Sequence, residues 1–200
     1  MARRKDPVLE AKRRQQLLEA TIAMLGEQPV HAITQARVAA RAGVSKGMLT
    51  YYFATKDDLV VAAVRHYHAR QQEQLALLVV ATGLGAADKL RLLVEAAFPS
   101  LEEVRREVRF QSEIWSYAKD RPQAAEAVRQ SYRRFREACA TMLRAEGAHG
   151  LVRIPSPERM YPVIHAIIDG LSFQVAADAG MSLEQVRDLA EASIRRLLRP

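Results

Sequence analysis

Among the side-chain donors within one 23-residue stretch are Thr34, Ser45, Lys46, Thr50, Tyr51, Tyr52 and Lys56. Thr34 and Ser45 each stand just before a helical run, as N-caps that leave orphan backbone N–H groups open to an anion such as phosphate. The ammonium of Lys46 can reach the O6 and N7 acceptors of guanine in a major groove, or equally a phosphate. Gly47 has no side chain, so the backbone can come close to whatever lies against it. Gln35 opens the preceding helix, where its amide can reach a base edge. This is the chemistry of recognition, not of bond making.

Such groups need a scaffold, and the residues between them supply it. TQARVAARAGVSKGMLTYYFATKDDL, residues 34–59, reads as two short helices joined by a glycine turn and followed by a lysine-tipped third. Ala39 is small enough to let the second helix cross closely over the first. Gly43 sits where the first must stop and the chain needs positive φ. Leu49, with Val38 and Val44, closes a very small core. Val44, Leu49 and Phe53 face inward, which leaves Ser45, Lys46, Gly47, Thr50 and Tyr51 outward. Thr55 with Asp58 three residues on has the form of a capping box.

The run resembles the N-terminal domain of TetR-family repressors over about residues 8–60. The family's pattern is a threonine, an alanine, then "AGVS-G" and "YF--K--L". Here it stands as Thr34, Ala39, Ala42-Gly43-Val44-Ser45, Gly47, Tyr52-Phe53, Lys56 and Leu59. The resemblance implies that the recognition helix, about Ser45 to Tyr52, lies in the major groove. It also implies that Thr34, Ser45, Tyr51, Tyr52 and Lys56 hold phosphates and set register. Thr50 departs from the pattern, since many members carry tyrosine there, and Tyr51 is the residue to which that phosphate contact would shift. The basic arm Arg3, Arg4, Lys5, Lys12, Arg13 and Arg14 can track the backbone, enter the minor groove or stay disordered.

Charge follows the motif. The net charge is +7, and residues 1–70 hold 12 Lys/Arg against 6 Asp/Glu while residues 71–200 hold 18 against 17. The surplus lies where phosphates would be neutralised. A hydrophobic content of 49% is ample for a core, and the single cysteine, Cys139, rules out an intramolecular disulfide. No apolar run reaches a membrane span, and no hydrophobic segment follows the basic N-terminus as in a signal peptide. A cytoplasmic protein with no membrane partner is the expectation.

The rest reads as helix, for an all-α chain of about nine helices. A first helix starts at Asp6-Pro7 and stops at Gly26. A fourth covers about 56–80 and is followed by a break at Thr82-Gly83-Leu84-Gly85; a fifth covers about 86–98, a sixth about 100–118, and a seventh runs from about 122 to Glu146, ending at Gly147. Residues 147–156 form the longest loop. Ser156-Pro157 opens an eighth, and Ser182 with Gln185 caps a ninth that extends to about Leu198. The expected division is a DNA-binding domain over 1–55 and a larger effector-binding and dimerisation domain over 56–200. The fourth helix is the boundary, so that tilting it moves the reader.

Ile164, Ile167, Ile168, Leu171 and Val175 follow three-four spacing in the eighth helix, as do Val186, Ala190, Ile194 and Leu197 in the ninth. Two such hairpins, one per subunit, would pack as a four-helix bundle on a two-fold axis. Each helix covering only its own domain is the other arrangement the spacing allows. Trp115 together with His165-Ala166-Ile167-Ile168-Asp169-Gly170-Leu171 resembles the BetI-type branch of the family, which implies a small-molecule effector. The aromatics of this region are Phe98, Phe110, Trp115, Tyr117, Tyr132, Phe135, Tyr161 and Phe173, and a cage of such rings, chiefly Phe110, Trp115, Tyr117, Tyr132 and Phe173, with Glu113 as carboxylate, would suit a quaternary ammonium. An ordinary aromatic core is the alternative.

No phosphate-binding glycine loop, nucleophile elbow or HExxH run is present. His66 and His68 diverge on a helix, and His165 with Asp169, one turn apart, reads as a structural pair. Neither a metal nor an organic cofactor is expected. An architectural DNA coater would not need the long second domain. The reading is a regulator, most often a repressor, whose homodimer binds a palindromic double-stranded operator and responds to a small molecule.

Overall fold

The computed structural model describes residues 6–80, 84–148, 157–177 and 180–198. Their regular structure is helical throughout. The elements are α1 (Pro7–Glu27), a 3-10 turn (Val30–Ala32), α2 (Gln35–Arg41), α3 (Lys46–Tyr52), α4 (Lys56–Val80) and α5 (Ala86–Ala97). They continue with α6 (Leu101–Ala118), α7 (Pro122–Ala148), α8 (Pro157–Ala177) and α9 (Leu183–Leu197).

Local chemistry sets most of these boundaries. The Asp6 carboxylate accepts the N–H groups of Val8 and Leu9, with Pro7 at the first helical position. Thr55 and Asp58 cap α4 reciprocally: Thr55 Oγ1 accepts from Asp58 N at 3.0 Å, and Asp58 Oδ2 accepts from Thr55 N at 3.0 Å. Ser182 and Gln185 do the same for α9. Two glycines fail to stop their helices: α1 runs past Gly26 to Glu27, and α7 past Gly147 to Ala148. Glycine costs a helix only about 1 kcal/mol, and Gly26 is buried within α1. In α1 the stop comes at Gln28, extended at φ −148, because Pro29 follows it. The proposed cap at Ser156, the loop from 149 and the break at Thr82-Gly83 lie outside the described residues.

Two compact units divide the chain: Met1–Tyr67 with Arg109–Arg129, and His68–Val108 with Gln130–Pro200. The unit that holds the reader therefore takes in the first part of α4 and a stretch from α6 into α7, more than the expected 1–55. Its fully buried side chains include Leu17, Leu18, Leu25, Ile33, Val38, Leu49, Leu59 and Val60.

The second unit is built on Leu90, Val94, Phe98, Val104, Leu143, Ile164, Val175, Val186, Ala190 and Ile194. Arg187 of α9 donates from Nε to the Phe98 carbonyl at 2.9 Å and from NH2 to that of Pro99 at 3.0 Å, which satisfies backbone acceptors at the end of α5. This core takes in much of the expected dimer face. Val175, Val186, Ala190 and Ile194 are at most 1% exposed within one chain, Ile164 is nearly as buried, and Ile167, Ile168 and Leu171 pack against the same cluster. Leu197 is half-buried. Three-four spacing reports that a face is buried, not by which chain. Residues on the opposite faces stay exposed, among them Val163, Ala166, Phe173 and Leu189.

Candidate nucleic-acid interface

The turn between α2 and α3 is fixed by backbone bonds. Gly43 has φ +66, the one positive φ among the described residues. Its N–H donates to the Ala40 carbonyl at 3.2 Å, and that of Val44 to Ala39 at 3.0 Å, the paired pattern of a left-handed helix end. Ser45 then caps α3, its Oγ accepting from Met48 N at 3.1 Å. Leu49 at 0% and Phe53 at 3% exposure are buried, as are Val38 and Ala39 of α2; Val44 is only half-buried.

With that face buried, Ser45, Lys46, Gly47, Thr50 and Tyr51 are all exposed, as the spacing requires. A Cβ placed on Gly47 would meet nothing nearer than the Ser45 hydroxyl oxygen, at 4.0 Å. Tyr51 and the half-buried Tyr52 meet edge to face at 5.1 Å. Thr50 Oγ1 donates back to the Lys46 carbonyl at 3.0 Å, so its proton is held within the helix. Thr34 is exposed and caps α2 by accepting from Arg37 N at 3.3 Å.

Two expected contacts point elsewhere. Gln35 Nε2 donates to the Phe53 carbonyl at 3.0 Å, which ties the start of α2 to the end of α3. Lys56 Nζ donates to the Val30 carbonyl at 2.5 Å. Desolvation, and then the nearby charge of Arg121, push the Lys56 ammonium below the usual lysine range, against the pull of Asp57. Arg14 of the basic arm lies over the Phe53 ring at 5.4 Å, a contact that local pattern did not reveal. Arg3, Arg4 and Lys5 lie outside the described residues.

The six candidate ligand residues are divided between the two units. Phe110, Glu113, Trp115 and Tyr117 belong to the first unit, Tyr132 and Phe173 to the second. Phe110 is buried against Tyr67, ring centroids 4.3 Å apart. Glu113 Oε2 accepts from Val30 N at 2.8 Å. Tyr117 is buried, with its hydroxyl on Asp57 and its ring beneath Arg121. Trp115 and Phe173 are half exposed.

A different ring cluster stands in the second unit, around His165. Tyr132, Phe135 and Tyr161 lie 5.5, 6.1 and 5.4 Å from it, centroid to centroid, and His68 lies 5.8 Å from Tyr132. Asp169 Oδ2 is 3.0 Å from His165 Nδ1, the pair anticipated from their spacing. The buried Tyr161 hydroxyl has no hydrogen-bond partner among the described residues. In the first unit, His66 Nε2 lies 2.7 Å from Glu19 Oε1.

Comparison with known proteins agrees with this architecture. Residues 86–199 match the family described as "BetI-type transcriptional repressor, C-terminal", and residues 17–63 match "Bacterial regulatory proteins, tetR family". The chain is similar to the HTH-type transcriptional regulator BetI of Cronobacter sakazakii, 26% identical over 93% of this chain and 91% of that protein. The regulator of the same name from Escherichia coli K12 is 28% identical over 90% and 89%. A TetR-family regulator from Rhodococcus sp. has the same fold at TM-score 0.78 and 20% identity, covering 94% and 99%. So does a transcriptional regulator from Saccharomonospora viridis in complex with choline, at 0.75 and 22%, covering 92% and 96%. The helix-turn-helix head and the helical domain behind it thus place this chain in the TetR family of bacterial DNA-binding transcriptional regulators, with a C-terminal domain of the BetI type.

Proposed function

We propose that the chain is a repressor whose homodimer binds a palindromic operator and is released by a small organic cation. The observation that carries DNA reading is the outward face of α3, where Lys46, Gly47, Thr50 and Tyr51 are exposed above a buried Leu49. Lys46 supplies the base contact, while Thr34, Ser45, Tyr51 and Tyr52 grip phosphates. Effector and dimerisation functions fall to the chain beyond residue 55, and the unbroken α4 supports it as the element linking them to the reader.

The effector site is best assigned to the rings around His165, in place of the set centred on Glu113 and Trp115. Four aromatic rings, an adjacent carboxylate and a buried hydroxyl without a partner suit a cation that carries a hydrogen-bonding group. The choline complex of the Saccharomonospora protein supports that ligand class. Dimerisation falls to the outward faces of α8 and α9, where Val163, Phe173 and Leu189 are exposed and Ala166 and Gly170 allow close approach.

Selection from random duplexes, followed by footprinting with and without choline, tests the reading. A two-fold symmetric site whose occupancy falls with the cation supports it. No preferred sequence, or a site indifferent to every small cation tried, counts against the DNA or the effector half respectively.

A further inference from the structure

One turn of α6 grips the chain on both sides of the reader. Glu113 Oε2 accepts the Val30 N–H at 2.8 Å, and four residues on, the Tyr117 hydroxyl donates to Asp57 Oδ1. Val30 lies four residues before Thr34, the N-cap of α2, and Asp57 four residues after Phe53, the C-cap of α3. Lys56 joins the two grips, donating from Nζ to the Val30 carbonyl at 2.5 Å. The residue is thus held by a carboxylate on its N–H and an ammonium on its C=O.

These bonds answer real needs. Val30 opens the 3-10 turn, and Pro29 before it makes no side-chain cap, so its buried N–H would otherwise lack an acceptor. Asp57 receives a phenol proton and also has Arg121 Nε at 3.6 Å. Arg121 in turn stacks on the Tyr117 ring at 4.0 Å and donates to the Tyr117 carbonyl at 3.3 Å. Bonds to charged groups are the stronger kind, and here they converge on the two points where the reader enters and leaves the fold.

We infer that Glu113, Tyr117 and Lys56 are positioning residues for DNA reading: they set the pose of α2 and α3 and touch neither DNA nor effector. Glu113 thereby leaves the ligand cage to which the sequence assigned it, and Lys56 leaves the set of phosphate contacts. The inference rests on the reading of this chain as a sequence-selective DNA binder.

The test uses the full chain with two probes, a duplex recovered by the wild-type protein from a random pool and a random duplex of equal length. Tyr117→Phe and Glu113→Ala are expected to lose about tenfold on the selected duplex, the worth of one charged hydrogen bond, and to hold the random duplex within about twofold. A misplaced reader loses base readout while backbone contacts adapt; a merely less folded protein loses both in parallel. Glu113→Gln restores binding, because its amide oxygen still accepts from Val30. Lys56→Ala loses selected binding at an unchanged salt slope, whereas removing a phosphate contact lowers that slope by about one. Parallel losses on both duplexes, wild-type affinity in Tyr117→Phe and Glu113→Ala, or a reduced slope in Lys56→Ala each overturn the inference. If Glu113→Ala does not fold, the near-isosteric Tyr117→Phe decides. Should the wild-type protein recover no sequence at all, the reading as a selective DNA binder fails first, and the latch falls with it.

Discussion

Gln35 Nε2 donates to the main-chain oxygen of Phe53 at 3.0 Å, a bond that closes the helix-turn-helix from the first residue of α2 to the residue that ends α3. The geometry makes Gln35 a brace. Gln35→Ala is therefore expected to destabilise the head by about 1 kcal/mol, the net worth of one such bond, and urea unfolding measures it. A base contact would behave differently: selectivity would change while the unfolding midpoint stayed put.

Lys46 faces outward at the start of α3, where its ammonium is exposed. Lys46→Ala is expected to weaken the selected duplex by about 1–3 kcal/mol and to relax preference at one base pair per half-site. Competition against single-base variants of the site reads this out. Uniform weakening across all variants, with a shallower salt dependence, would instead assign Lys46 to a phosphate.

How much of this was legible in the chain depends on how local the determinants are. Gly43, Ser45 and Thr55 each act within a few residues, so the turn and both caps could be read directly, and the outward face of α3 followed. Glu113 and Val30 are 83 residues apart, and Tyr117 and Asp57 are 60 apart; no periodicity announces such pairs. Pattern also could not say which apolar stripe of α8 and α9 serves the chain's own core. The stripe with the better spacing, through Val186, Ala190 and Ile194, proves to be the internal one.

That outcome moves the dimer prediction to the opposite faces. Phe173 and Leu189 are each 48% exposed in the single chain. Replacing either with Asp removes nothing from the core, so folding should persist while self-association weakens. Sedimentation velocity at micromolar concentration is expected to show a shift from dimer to monomer. An unchanged dimer would place the interface elsewhere.

Cys139 gives a sign to the alkaline limb of stability. Burial pushes its thiol up to about 12, while the unfolded thiol titrates near the ordinary 9.0. Between those values the unfolded chain holds fewer protons than the folded one, so stability falls as pH rises. Burial raises Tyr117 and Tyr161 as well, with the same sign. The lowered Lys56 works the other way, favouring the fold as pH climbs toward the usual lysine value. From about pH 9 upward the Cys139 contribution is expected to lower denaturant midpoints, and from about pH 10 the two tyrosines add to it. Cys139→Ala should flatten that drop, and a thiol reagent at neutral pH should label Cys139 only as the protein unfolds.

Tyr161 separates a core aromatic from an effector contact. Its hydroxyl is buried and has no partner among the described residues, in a cluster with Phe135 and His165. A buried donor left unpaired costs about 1–3 kcal/mol. Tyr161→Phe removes that cost and keeps the ring, so the ligand-free protein is expected to melt at a higher temperature. If the hydroxyl exists to bond the effector, the same variant binds a hydroxylated cation such as choline more weakly, while its affinity for tetramethylammonium, which offers no hydroxyl, stays unchanged. Thermal shifts with the two cations measure both effects on one sample. A gain in stability with equal loss for both cations, or with no loss for either, would leave Tyr161 as packing and move the polar end of the site elsewhere.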